Sequence, residues 1–135
     1  GLLRIAVSVN VGRMKVSEFE TDAGPLIEAY EPGRVRIEGQ HYSGTVAVTA
    51  GRIMADWGPP DFDELAPAHL EAIAELAPQI VVLGTGARQR FPDPAVYAVL
   101  LERGIGIEIM DTGAACRTYN ILAGEGRRVV AALIN

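Results

Sequence analysis

Two apolar runs in the C-terminal half each break off at a small polar turn, and a helix signal lies between them. Ile80-Val81-Val82-Leu83 stops at Gly84-Thr85-Gly86, and Ile105 to Met110 stops at Asp111-Thr112. In between, Asp93-Pro94 combines an N-cap with a first-turn proline. Val96, Tyr97, Leu100 and Leu101 follow on one helical face, and Gly104 supplies the stop. A strand, a crossover helix and a second strand require a parallel pair with a right-handed connection. Strands that end side by side bring small polar groups and backbone N–H groups to one sheet edge, where α/β proteins keep their clefts.

Upstream, the pattern changes. Glu18 to Pro32 is acidic and turn-rich, with Pro25, Pro32 and Gly33 as punctuation. Arg34 to Ile37 reads as a short strand and Gly39 turns it. Tyr42 to Thr49 reads as a second strand, Ala50-Gly51 as a tight hairpin, and Arg52 to Trp57 as the returning strand, with Ile53, Ala55 and Trp57 alternating. Gly58-Pro59-Pro60 ends strand structure, Pro67 opens a helix that runs to about Leu76, and Pro78 stops it. After Met110 a last helix is expected from about Thr118 to Leu133, with Leu122, Val129, Val130 and Leu133 on one face. Gly124 and Gly126 would each cost that helix about 1 kcal/mol relative to alanine, which implies a close neighbour for its backbone.

These elements give an α/β fold: a compact three-layer domain in which an N-terminal β meander joins a β-α-β unit in a mixed central sheet with helices packed on it. At 135 residues one domain is expected, and a hydrophobic fraction of 49% excludes disorder. Residues 1–13 read as a frayed leader with Met14 as a candidate start, or else as an edge strand.

Charge and cysteine content narrow the partners. A net charge of −5 argues against nucleic acid, whose binders carry a basic face. Residues 1–80 hold 12 acidic and 6 basic side chains, whereas residues 81–135 hold 5 and 6, so the half with the cleft is the one that tolerates an anion. A single cysteine, Cys116, forbids an intramolecular disulfide and fits a reducing, cytoplasmic setting. No apolar run approaches the roughly 18–20 residues that span a bilayer.

Gly84-Thr85-Gly86 follows a strand, as a phosphate loop does. It lacks the lysine and the immediate helix such a loop needs, and it lacks the third glycine of a dinucleotide fingerprint. Two readings stay open there: a turn that lets the chain leave a buried strand, and an anion pocket of N–H groups with Arg88 or Arg90 nearby. Cys116 sits beside Arg117 just ahead of the expected helix, which would favour a thiolate, but neither His41 nor His69 has a spacing that supplies a base. A buried apolar thiol is the favoured account. Thr118 is expected to cap the last helix, Tyr119 to pack on the sheet, and Asn120 to brace the Asp111 loop; a ligand role for Thr112 and Asn120 is the alternative. Trp57 with Pro59 and Pro60 forms a corner that could anchor a partner. Two histidines and one cysteine give no metal-ligand spacing.

Val82-Leu83-Gly84-Thr85-Gly86, Gly104-Ile105, Met110-Asp111-Thr112 and Ala115-Cys116-Arg117-Thr118-Tyr119-Asn120, with Leu122, Glu125, Gly126, Arg127 and Arg128, together resemble the MTH nine-thirty-eight-like domain family. The resemblance covers about Leu26 to Ile134. Residues 1–13 lie outside that pattern; residues 1–17 read as a flexible leader and 18–135 as one such domain. The family includes bacterial and archaeal proteins, a mitochondrial assembly factor for respiratory complex I and an adipogenesis-associated protein. It implies a compact three-layer α/β domain with a mixed sheet and no established reaction; for the chain itself no cofactor is expected. It also implies protein partners, including a membrane complex reached through its peripheral subunits at the inner membrane.

Two functions follow as expectations. One is a non-catalytic, protein-binding adaptor or assembly factor, with Trp57, Pro59, Pro60 and Arg90 as partner contacts. The other is a small anionic-ligand or hydrolytic pocket built from Gly84, Thr85, Gly86, Arg88, Asp111, Thr112, Arg117, Thr118 and Asn120, with Cys116 as its catalytic candidate.

Overall fold

The computed structural model describes residues 24–135. The leader expected at residues 1–17 lies outside that range, as does the start of the acidic segment. Eight strands and three helices follow in the order β1 (Ile27–Glu31), β2 (Arg34–Ile37), β3 (Gln40–Tyr42), β4 (Val46–Thr49), β5 (Arg52–Ala55), α1 (Pro67–Ala74), β6 (Ile80–Thr85), α2 (Pro94–Glu102), β7 (Gly106–Met110), α3 (Thr112–Gly124) and β8 (Val129–Ile134).

The strands form two sheets. β1, β2 and β3 make a three-stranded antiparallel sheet, and the other five form a mixed sheet in the order β5-β4-β8-β6-β7. The expected parallel pair is present: Leu83 lies opposite Ile109 and Gly84 opposite Met110. β8 pairs in parallel with β6 and antiparallel with β4, and so joins the two halves of the sheet.

β8 overturns the expected terminal helix. Val129-Val130-Ala131-Ala132-Leu133-Ile134 is buried at every position, and its residues alternate between two cores. Val129, Ala131 and Leu133 face α3 and the small sheet, together with Val46, Val48 and Val82. Val130, Ala132 and Ile134 face α1 and α2, together with Ala47, Val81 and Leu83. A strand covered on both faces carries no polar alternation, so its apolar run has the same look as a buried helix. The large sheet is thus the middle layer, with α1 and α2 on one side and α3 with the small sheet on the other.

Helix α3 starts six residues earlier than expected. Asp111, not Thr118, is its N-cap, and accepts the Ala114 N–H at 2.9 Å. The helix closes with the Gly126 N–H on the Ala123 carbonyl and the Arg127 N–H on the Leu122 carbonyl. Gly126 sits at φ +83°, the left-handed residue that this kind of helix stop requires. Gly124 has no neighbour within 4 Å of a would-be Cβ, so the two glycines mark a terminus rather than a close backbone approach.

The meander also differs from expectation. The segment Tyr42 to Thr49 is not one strand: β3 ends at Tyr42, β4 begins at Val46, and the two belong to different sheets. The acidic stretch contains β1, whose exposed Glu28 and Glu31 pair with Arg36 and Arg34 on β2. These ion pairs line the open face of the small sheet, while Ile27, Val35 and Ile37 line its buried face.

Candidate functional site

Three parallel strands end at one rim: β6 at Thr85, β7 at Met110 and β8 at Ile134. The rim draws together Gly84, Thr85, Gly86, Asp111 and Thr112. Thr112, fully buried, is its centre. Its hydroxyl donates to the Ile134 carbonyl at 2.6 Å and accepts the Gly86 N–H at 2.8 Å, while its own N–H donates to the Gly86 carbonyl at 2.9 Å. Gly84 allows this approach. A Cβ there would lie 2.9 Å from Thr112 Oγ1 and 3.0 Å from both Thr112 Cα and Leu133 Cδ2.

Thr85 performs the same task one residue on. Its buried hydroxyl donates to the Arg88 carbonyl at 2.7 Å, shares that proton with the Met110 carbonyl at 3.2 Å, and accepts the Arg90 N–H at 3.1 Å. The N–H groups of Gly86 and Arg90, two donors that an anion would need, therefore already have partners inside the fold. Asn135 Oδ1 is the single buried side-chain polar atom without a partner among the described residues. No cluster of three His, Cys, Asp or Glu side chains fit to hold a metal occurs among them.

The remaining sequence candidates divide between rim, helix and surface. Arg88 and Arg117 are exposed. Thr118 lies within α3 and donates its hydroxyl to Met110 Sδ at 3.3 Å. Asn120 does not brace the Asp111 loop. Its amide clamps the edge of β1 instead, accepting the Ile27 N–H at 2.9 Å and donating to the Ile27 carbonyl at 2.8 Å. A side-chain amide in this pose copies the two hydrogen bonds of a neighbouring strand.

Cys116 lies inside α3 rather than ahead of it, 5% exposed. Gly113, Cys116 and Asn120 share the face of α3 that meets β1, with the Tyr30 ring over Gly113, where a Cβ would come within 3.1 Å of it. The thiol is pushed up to about 12: burial raises it most, Arg117 lowers it, Asp111 raises it and a backbone hydrogen bond lowers it. It therefore keeps its proton at neutral pH, the opposite of what a nucleophilic cysteine needs. Tyr30 is raised too, by burial first and then by Asp111 and Cys116. Tyr119, fully buried as expected, donates its hydroxyl to the Pro25 carbonyl at 3.1 Å and is raised by burial to about 12.

Among the expected partner contacts, Pro60 is exposed, whereas Pro59 is buried and Trp57 is half-buried with its indole N–H on the Leu133 carbonyl at 3.1 Å. Arg90 is held by Asp63 at 2.6 Å and lies 4.4 Å above the Phe62 ring. Among the described residues, the large apolar side chains that do face solvent are Phe91, Leu101 and Ile121. Leu101 was expected on the packed face of its helix; it is 56% exposed because Val96 and Leu100 set the buried direction and Leu101 falls about 100° beyond Leu100. Only the helix's packing partners, invisible in sequence, could have revealed this.

Known proteins share this architecture. A crystal structure from Bordetella parapertussis superposes with a TM-score of 0.77 at 38% identity, covering 83% of this chain and 96% of that one. A solution structure of a Bordetella pertussis Mth938-like domain gives a TM-score of 0.76 at 31% identity, covering 90% and 92%. In Danio rerio, NADH dehydrogenase [ubiquinone] 1 alpha subcomplex assembly factor 3 is 36% identical over 123 residues, which are 90% of this chain and 70% of the relative. A 13 kDa major membrane protein of Francisella tularensis subsp. holarctica (strain LVS) is 25% identical over 90% of this chain and 99% of its own length. This chain belongs to the Mth938-like domain family, described as a protein of unknown function (DUF498/DUF598), and matches it across residues 27–134.

Proposed function

We propose that this domain is a non-catalytic adaptor that binds protein partners and assists the assembly of a membrane complex, acting from the cytoplasmic side through that complex's peripheral subunits. The observation that carries this reading is the similarity to complex I assembly factor 3 over 90% of the chain. The chemistry of the rim supports it. Gly86 and Thr112 hold each other, the Thr85 hydroxyl is taken up by Arg88, Arg90 and Met110, and the Cys116 thiol is buried and pushed up to about 12. Among the described residues no helix is long and apolar enough to cross a membrane.

The test is genetic and biochemical together. Deleting the gene in its own cells should slow the appearance of a mature membrane complex on native gels. Tagged protein, captured after mild cross-linking, should bring down subunits of that same complex. A deletion strain that assembles its respiratory complexes at the normal rate would overturn the reading. The ligand alternative at Gly84, Arg88 and Arg117 predicts instead that small anions raise the melting temperature and that Arg88→Ala abolishes the rise.

A further inference from the structure

β7 ends the five-stranded sheet, and its outer side is open. The Gly106 N–H points inward to the Gln79 carbonyl, and the Met110 carbonyl points inward to Thr85 Oγ1. By the alternation of a strand, Ile107 and Ile109 turn their main-chain groups outward. One of these has a partner: the Ile109 carbonyl accepts from Gln89 Nε2 at 2.9 Å. Among the described residues, the Ile107 N–H, the Ile107 carbonyl and the Ile109 N–H have none.

The surroundings of this edge are apolar on one face and acidic on the other. On the α2 face, Arg103 reaches Glu75 beyond α1, which fixes the flank of α2 that faces its neighbour helix. Tyr97 and Leu101 project from the opposite flank, the one over β7, with Leu101 56% exposed. Phe91, 67% exposed, lies two residues past Gln89. On the α3 face the exposed side chain is Glu108, which has no ion-pair partner among the described residues.

We infer that the β7 edge is a strand-addition site for an extended segment of a partner protein, with apolar side chains toward Leu101 and a basic side chain opposite Glu108. The main chain of Ile107 and Ile109 supplies the hydrogen bonds, and alternate side chains supply selectivity. A second copy of this chain fits less well: the antiparallel register that overlaps all of Gly106–Met110 sets Glu108 against its own copy, and like charges directly opposite are destabilising. Glu108 and Gln89 thus guard the edge against self-pairing while leaving it open to a basic strand. This inference rests on the adaptor reading and names its contact surface.

The probe is a capped peptide, valine-lysine-valine-threonine-valine, titrated into isotope-labelled protein at millimolar concentration. Amide shifts should concentrate at 106–110 and at Leu101. A glutamate-for-lysine peptide should bind about threefold more weakly, and Glu108→Arg should invert that preference. Leu101→Asp should weaken both peptides without moving the shifts of the small sheet. Absence of shifts at β7, shifts confined to another strand, a preference unchanged in Glu108→Arg, or a dimer pairing through 106–110 would each overturn the proposal. Cellular capture reads the adaptor role separately: a partner still captured by Glu108→Arg and by Leu101→Asp removes this surface and leaves that role standing.

Discussion

The two sheets are held by different means. The five-stranded sheet is buried on both faces along its central strands β4, β8 and β6, and β8 at its middle exposes almost nothing to water. The three-stranded sheet buries one face only. It is held to the rest by Ile27, Val35 and Ile37, by the Asn120 amide on Ile27, and by Tyr119 on Pro25. Its other face carries ion pairs between exposed side chains, which add little stability. A layer with one apolar face and two polar clasps is the part of this fold expected to open on its own, while the sheet beneath stays closed. Cys116 lies under that layer.

Core truncation tests this contrast most strongly. Leu133→Ala in β8 should cost about 2–5 kcal/mol of global stability in urea denaturation, because it opens a cavity between the central strand and the α3 side of the core. Ile37→Ala in the small sheet removes an equally buried side chain, yet its loss should fall mainly on local opening. Hydrogen exchange separates the two. In Ile37→Ala the amides of β1 to β3 should lose protection while those of β6 and β8 keep theirs. Equal losses in both sheets would mean that the two unfold as one unit.

Asn120→Ala comes next. It leaves the Ile27 N–H and carbonyl without partners at a part-buried edge, worth about 1–3 kcal/mol. The expected readout is faster labelling of Cys116 by a thiol reagent at neutral pH, with a smaller change in the denaturation midpoint. Asn120→Asp keeps the acceptor for Ile27 N–H and loses the donor, so it should fall between the two. Labelling as slow as in the parent protein would show that the clasp is not what closes the layer.

The sequence made the two regions unequally legible. β6, α2 and β7 were plain because each carries its own punctuation: Asp93-Pro94 at a helix start, Gly104 at its end, and apolar runs broken by Gly84 and Asp111. The rim followed from them. β8 was misread because six apolar residues buried on two faces have no period, and alanines at 131 and 132 favour a helix locally. The true start of α3 was hidden by Gly113, a poor helix former tolerated there because the Tyr30 ring lies against it. That ring belongs to β1, itself obscured by Glu28 and Glu31, whose arginine partners sit on another strand. The open edge of β7 had no sequence signal either, since strand order is set by β8.

Alkali should weaken the protein in a window that reports on the layer covering Cys116. The folded thiol is raised from 9.0 to about 12, so the native state keeps a proton that the unfolded chain releases. Its contribution is whole below pH 9 and falls as the pH climbs toward 12. Tyr119 is raised from 10.0 to about 12 and adds a second loss that begins about one unit later. Between pH 9 and 10 the slope should therefore belong mainly to the thiol. Cys116→Ser should flatten the fall in urea midpoints across that interval and leave the steeper decline above it. An unchanged slope would mean that water already reaches the thiol and that the small sheet covers it poorly.

The smallest effects give the finest discrimination, because the same strain occurs in both regions. Glu38, at φ +51°, turns the hairpin between β2 and β3, and Ala77, at φ +55°, leads from α1 toward β6. Both residues hold a left-handed conformation that asparagine adopts more readily, so Glu38→Asn and Ala77→Asn should each relieve about 0.5–1 kcal/mol. The relief should appear in different places. Ala77→Asn should raise the global denaturation midpoint, since the α1-to-β6 turn must form for the large sheet to close. Glu38→Asn should slow hydrogen exchange in β2 and β3 and slow Cys116 labelling, with the global midpoint nearly fixed. If Glu38→Asn instead moves the midpoint as far as Ala77→Asn does, the small sheet is no separate layer, and its clasps at Asn120 and Tyr119 bind it into one cooperative core.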